Sequence, residues 1–539
     1  MERDQPLNRD EARSATSDRG DGVPRALSRR AFLARAAVVA PAVLAPVALV
    51  GLGRKTALAI AGGFVHDGAA LGHALRDGRA MPRATRTERV QVVVVGGGIA
   101  GLSAGWRLVR RGMHDFVVLE MEPTAGGNSR WGENAASAYP WGAHYVPVPG
   151  PRAELARELF AEMGVLRGGE WEERALCFSP GERVFIHGRW EEGIEGAVAH
   201  SAHERDELRR LAERVAELRE GGEFTIPMAL GAPASSPLDA LSMRDWLRRE
   251  GFTSAAAHWL ADYGCRDDYG ARSADTSAWA GLHYFASRER EAAGPLTWPE
   301  GNGRIVRHLA AVLGERVRPG AGVHRVERAG GGVRVLAGAV EYRCEAVVFA
   351  APTFLAPYVI DGARAPGFTY SPWVTANLTL EQWPEERGGA APVAWDNVIH
   401  DSPGLGYVVA THQSLRTHQE RTVWTYYRPL ADGDPREQRR RLARSTWEEW
   451  RDAILADLGR AHPDLAGCVS RIDVMRMGHA MARPVPGSLG RHAEHARRTE
   501  LGGRLFHANS DVSGISIFEE AQYRGVRGAD GALALLGLG

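Results

Sequence analysis

The sequence predicts an α/β protein whose first domain is doubly wound and of the Rossmann type. Two observations carry that reading: the apolar run Val90–Val95 leads straight into a glycine turn, and a second apolar run, Phe116–Leu119, ends in an acid at Glu120. A chain of 539 residues that is 44% hydrophobic can bury more than one core, so a second domain is expected.

The elements follow in chain order. Residues 1–27 are a polar leader, and Ser28, Arg29, Arg30, Phe32 and Leu33 then resemble the twin-arginine export signal S-R-R-x-F-L. The apolar stretch after it, Ala36 to Gly53, is broken by Pro41 and Pro46 and flanked by Arg54 and Lys55, which argues against a core helix. Ala57-Leu58-Ala59 offers a cleavage site; an uncut signal acting as a membrane tether is the alternative. Such signals serve proteins exported already folded, which implies the twin-arginine machinery as a partner and a periplasmic or extracytoplasmic location. A linker covers residues 60–87.

Gly96, Gly98 and Gly101 match G-x-G-x-x-G, and the apolar spacing from Ile99 to Val109 predicts a helix. The glycines allow a tight turn, close approach of backbone to a pyrophosphate and a close helix–strand contact. Ile99 and Ala100 form the helix start that faces the phosphates. Glu120 lies 19 residues beyond Gly101, where an acid accepts hydrogen bonds from ribose hydroxyls, and no arginine beside it would welcome the 2′-phosphate of NADP. Farther on, His203–Glu220 reads as an amphipathic packing helix.

Lys+Arg and Asp+Glu are equal at 66 each, so nothing points to nucleic acid as a partner. Lys55, inside the signal, is the one lysine of the whole chain. Cys177, Cys265, Cys344 and Cys468 are far apart and lack C-x-x-C spacing, so free thiols are expected rather than a metal cluster.

After the second strand comes Gly126-Gly127-Asn128-Ser129-Arg130, and here the sequence resembles the flavin amine oxidase superfamily, which includes amine and polyamine oxidases, protoporphyrinogen oxidase and phytoene desaturase relatives. The resemblance implies FAD, with Gly127 and Arg130 in the place of a G-G-R segment that lines it. Pro299–Leu313, Gly322–Val326 and Ala346–Pro352 resemble the family's glycine turn and helix, its adenine-side strand and its final FAD-domain strand, which places the backbone of Val323 near the adenine. Leu505–Gly525 resembles the closing motif, with Asp511 on the phosphate or ribitol side. The implied architecture is an FAD domain in three pieces (88–170, 295–355 and 485–539) with an α+β substrate domain inserted as 171–294 and 356–484.

The family chemistry passes a hydride to the flavin while the protein orients the substrate and excludes water. His144, in Trp141–Tyr145, is a candidate beside the ring; the alternative is a buried histidine bonded to backbone. His479 and Arg483, in Met475–Gly487, are candidates for the flavin edge; the alternative is a connector whose arginine forms an ion pair. Asp267 and Asp268, with Asp262, could receive an ammonium group, or belong to a capped solvated loop. His400 and His412 are candidates to face a cavity. Tyr426 and Tyr427 are consecutive, so a strand can aim only one of them at a ligand. His492 and His495 are expected on an exposed helix face rather than at a metal.

Many relatives place a lysine, through water, beside the flavin to assist reaction with oxygen, and no such lysine follows Lys55. Either a histidine or arginine replaces it, or electrons pass to a quinone or another carrier. Amine oxidation, with polyamines included, is the leading expectation. The rivals are a lipid desaturase or isomerase, which needs an apolar tunnel without an acidic pocket, and a non-catalytic flavoprotein of the cell envelope.

Overall fold

Five parallel strands drawn from distant stretches of chain carry the glycine turn. The computed structural model describes residues 60–65, 68–288, 294–386 and 391–539; the twin-arginine segment lies outside them. The strand order is Val317–Arg318, Phe116–Leu119, Val92–Val95, Ala346–Phe349 and Leu505–His507. Val92–Val95 and its two neighbours in the sheet are buried along their whole length, as parallel strands covered on both faces must be. One face packs on helices Ile99–Arg110, Gly303–Leu313 and Phe518–Leu535, with Trp106, Leu309 and Val526 in the shared core. On the other face the meander Val323–Ala329, Gly332–Ala337 and Val340–Cys344 packs Val326 and Val335 against Val93 and Val117. The expected doubly wound fold is thus present.

An eight-stranded sheet forms the second layer, with Val469–Ala482, Tyr370–Leu380, Thr422–Pro429, Gly406–Val409 and Asp396–Ile399 as consecutive neighbours. Its two faces have different fates. Tyr426 and Trp424 face a core with Trp450 and Ile454 of helix Trp447–Leu458. Tyr427, Trp373 and Val408 face the opposite way, toward Tyr263 of helix Ala255–Tyr269. The period of two in a strand therefore decides which tyrosine meets the site.

Helix Ala255–Tyr269 carries Asp262, Asp267 and Asp268, so this acidic stretch is helical and not a loop. Ser254 caps it by accepting from the Ala257 amide, and Gly270, at φ 57°, ends it. Glu207, inside helix Ala202–Glu220, accepts from the amides of Thr253 (2.9 Å) and Ser254 (2.8 Å) and so pins the helix start. Burial acts to raise the Glu207 pKa, but these bonds outweigh it and hold the carboxyl down at about 2. Its stabilising effect is complete above the unfolded value near 4.5 and fades as pH falls toward 2. Glu207→Ala should cost about 1–3 kcal/mol at neutral pH by orphaning the buried Ser254 amide and the part-buried Thr253 amide. A thermal melt reads this; wild-type stability in the variant would show that the bonds do not hold the helix.

Candidate active site

The glycine turn and the second strand build a cradle from backbone. A Cβ at Gly101 would lie 1.8 Å from the Gly96 carbonyl oxygen, so only glycine lets the helix approach this closely. Glu120 accepts from the amides of Gly97 and Glu122, each at 2.7 Å, and burial raises its pKa against the pull of those bonds. The Gly126 amide donates to the Gly97 carbonyl at 2.8 Å, which sets Gly127 opposite Gly98 with bare backbone on both sides. Arg130 donates to the Gly127 carbonyl and lies 3.5 Å from Glu122. The Ala321 amide donates to the Glu120 carbonyl at 2.7 Å and brings Val323 to the same end of the strand. Asp511 is buried and accepts from the Thr353 amide (2.8 Å) and the Tyr370 hydroxyl (3.0 Å). Side-chain-free turns, an open helix start at Ile99 and Ala100 and an acid at the strand end fit a dinucleotide.

Asn128, between Gly127 and Arg130, also lines a cavity between the two sheets, as does the N-terminal turn of helix Phe518–Leu535. The aromatic wall comes first. The His144 ring stacks on Tyr427 at 4.5 Å and packs against Trp395 at 5.4 Å. Tyr427 Oη and His144 Nδ1 both donate to the Gly142 carbonyl, at 2.8 and 3.3 Å. Burial drives the His144 pKa down to about 4, so the ring is neutral at physiological pH.

The floor is acidic. Asp267, Asp268, Asp396 and Glu519 line the cavity, and Arg288 is the one arginine among its lining residues. Arg288 donates to both oxygens of Asp268, at 2.6 and 2.7 Å. Burial, with Asp268 adding repulsion, pushes Asp267 up to about 7, and burial likewise pushes Glu519 up to about 7. Asp396 is raised well above its ordinary value by burial, then by Asp267 and Glu182. Glu519 Oε2, Trp373 Nε1 and Thr375 Oγ1 are buried without a hydrogen-bond partner. An aromatic box over buried carboxyls, which an arriving cation would draw back to the ionised form, suits an organic cation.

The structure brings His144, Asp267, Asp268 and Tyr427 together in this cavity. It places other candidates elsewhere. Tyr426 lies on the far face of its sheet and donates to Asp457 at 2.7 Å, so it has no part in the cavity's chemistry. Arg483 pairs with Asp275 at 3.1 Å, and His479 is exposed and stacked on Phe354 at 4.2 Å; neither lines the cavity. Asp262 is held by Arg272 at 2.7 Å. His400 stacks on Trp259, and His412 bonds the Phe178 carbonyl. His492 and His495 are buried instead of exposed, His492 donating from Nδ1 to the Asp511 carbonyl and stacking on Phe368. Their helix packs against the turn Ser510–Val512 that follows the closing strand, and His495 meets His507 at 4.6 Å.

Asp396, Glu519 and Arg288 were missed. Asp396 sits at the head of a strand, where polar residues are ordinary, and Glu519 in a first helical turn, where an acid reads as dipole compensation. No spacing in the chain links them.

Comparison with known proteins agrees with the fold. The model of the flavin containing amine oxidoreductase family matches residues 99–361. AofH of Mycobacterium tuberculosis, assigned as a flavin-containing monoamine oxidase, is 28% identical over 282 residues, which are 49% of this chain and 57% of AofH. The chain thus spans little more than half the length of the curated relative it matches. A redesigned putrescine oxidase superposes with a TM-score of 0.65 at 18% identity, covering 83% of this chain and 100% of that one. Cyclohexylamine oxidase from Brevibacterium oxydans gives 0.63 at 18%, covering 83% and 99%. A fatty acid isomerase from P. acnes gives 0.56 at 15%, covering 81% and 97%. The fold is that of FAD-dependent amine oxidases. Together with the family match that begins at Ile99 and the cradle that fits it, this makes the chain a flavoprotein with FAD as its cofactor.

Proposed function

We propose that this protein is an FAD-dependent oxidoreductase that oxidises an amine, with di- and polyamines favoured. The carrying observation is the cavity beside the cradle, where four carboxylates face one arginine under an aromatic wall. Bound FAD supplies the acceptor for a hydride from the carbon next to nitrogen. Gly96, Gly98, Gly101, Glu120, Gly127 and Arg130 would hold it, with Val323 toward the adenine and Asp511 toward the phosphate or ribitol side. Asp267 and Asp268 draw the ammonium in, and His144 and Tyr427 wall it from water. A lipid desaturase or isomerase would bury its substrate in an apolar tunnel, whereas four carboxyls and an arginine interrupt the wall of this cavity. Ser28–Leu33 supports export of the folded holoprotein by the twin-arginine machinery, with oxygen, a quinone or another carrier as electron acceptor.

The test is an anaerobic visible spectrum of the purified protein before and after spermidine, putrescine and simple monoamines. Bleaching is expected first with the diamine or polyamine, and readmitted oxygen then separates oxidase from dehydrogenase. A flavin that no amine bleaches removes this reading.

A further inference from the structure

The stretch ahead of the first dinucleotide strand carries structure of its own. Strand Ala61–Phe64 adds to the edge of the eight-stranded sheet, parallel to Val469–Ala482, with Ala61 opposite Arg471 and Phe64 opposite Val474. The Val65 amide extends the pairing by donating to the Val474 carbonyl at 2.9 Å. Gly62, at φ 141°, lets the two backbones close, because a Cβ there would lie 1.9 Å from the Ile472 carbonyl oxygen. The Arg476 guanidinium lies 3.9 Å from the centre of the Phe64 ring and clasps the end of the strand.

Helix Ala69–Arg76 then sits on the dinucleotide half. Leu71 and Leu75 share one of its faces. Leu75 packs on the core that holds Val323 and Ile360, and a Cβ on Gly322 would meet Leu71 Cδ2 at 2.2 Å. Gly68, at φ 60° just ahead of the helix, lies against Met121 and Glu122, where a Cβ would stand 2.0 Å from Glu122 Oε1. The other oxygen of this carboxyl, Glu122 Oε2, is 3.5 Å from Arg130, whose Nε donates to the Gly127 carbonyl at 3.2 Å. The Gly320 amide donates to the Glu122 carbonyl at 2.9 Å, so the loop under Leu71 and the strand end under Gly68 form one surface. Contacts thus run from Gly68 through Glu122 to Arg130 and Gly127, while Gly62 anchors the same stretch on the substrate sheet.

We propose that strand Ala61–Phe64, with Gly68 and helix Ala69–Arg76, straps the FAD site from outside. Pinned to one sheet and pressed on the other half, it seats Glu122 and through it Arg130, at the corner where Glu120 and Val323 would meet the ribose and adenine. None of these strap residues lines the cavity, so they are positioning residues, and what they set is how fast FAD leaves. Coupling of this kind is reciprocal, so bound FAD must in turn steady the strap.

The experiment reads both directions on the full chain. In the wild type, hydrogen–deuterium exchange over residues 61–65 and 68–76 should be slower in the FAD-loaded protein than in the flavin-stripped one. FAD release, followed as the rise of free-flavin fluorescence after dilution, should be at least about tenfold faster in Gly62→Val and in Leu71→Glu. The valine blocks strand pairing, and the glutamate cannot rest on Gly322. Gly63→Val is the control, since nothing stands within 4 Å of a Cβ there, and it should release FAD at the wild-type rate. The flavin-stripped variants should melt close to the stripped wild type, leaving the deficit in the loaded protein. Wild-type release from both Gly62→Val and Leu71→Glu overturns the strap, and so does exchange that ignores FAD, a measurement that needs no variant to fold. An equal fall in melting temperature with and without FAD overturns it too, because the stretch would then serve the fold and not the cofactor. A wild-type chain that takes up no flavin removes strap and cradle together.

Discussion

Gly101→Ala protein should purify without its visible flavin band. The added Cβ would meet the Gly96 carbonyl oxygen at 1.8 Å, so helix Ile99–Arg110 has to withdraw from the turn that it closes. Withdrawal moves the helix start away from Gly98 and widens the gap opposite Gly127, and the pyrophosphate then loses both of its backbone walls. Bound flavin, measured by absorbance after denaturation, is expected below about a tenth of wild type. Gly112 supplies the control: it lies in the turn just after the same helix, and nothing stands within 4 Å of a Cβ placed there. Gly112→Ala should lose a little stability from its φ of 77° and keep its flavin. Full flavin content in Gly101→Ala would show that the glycine contact does not shape the cradle.

The second large effect is expected at the buried pair. Asp268→Leu leaves the Arg288 guanidinium without the two bonds of 2.6 and 2.7 Å that satisfy it, in a cavity that now repels cations more strongly. Removing one partner of such a pair costs about 3–5 kcal/mol, whereas replacing both by apolar groups is often neutral. Thermal unfolding should therefore show a large loss in Asp268→Leu and substantial recovery in Asp268→Leu/Arg288→Met. Amine binding separates the two effects. The single variant should raise the KM for putrescine at least about tenfold through the bare positive charge, and the double variant should restore most of it. Equal stability of single variant and wild type would mean that Arg288 finds another acceptor.

The dinucleotide half was legible because its signals are local. A strand, a glycine turn, a helix and an acid follow one another within Val92–Glu120, and each is demanded by backbone geometry that few residues other than glycine meet. Val323 and Asp511 could be placed only by likeness to a family, since what joins them to the fingerprint is sheet order, which a sequence does not spell out. The substrate half was legible in part. Asp267 and Asp268 stood out as adjacent acids among tyrosines, and consecutive tyrosines announced a choice between faces. Which face won depended on where helix Trp447–Leu458 packs, and that helix claimed Tyr426. Asp396 and Glu519 enter the cavity from a strand and a helix more than one hundred residues apart in the chain, so no window of sequence contains them both.

The order of strands in the parallel sheet also sets a timetable for synthesis. Leu505–His507 pairs with Ala346–Phe349 at the sheet edge, and helix Phe518–Leu535 then lies across the fingerprint helix, with a Cβ at Gly525 only 2.1 Å from the Ala100 carbonyl oxygen. Until those residues are made, the chain has four of the five strands of the parallel sheet but lacks its edge strand and the helix over the fingerprint. Pairing across so long a separation in sequence is slow. Flavin capture is therefore expected only once that strand and helix are in place, and a chain truncated before Leu505 should be colourless however well its first strands have folded.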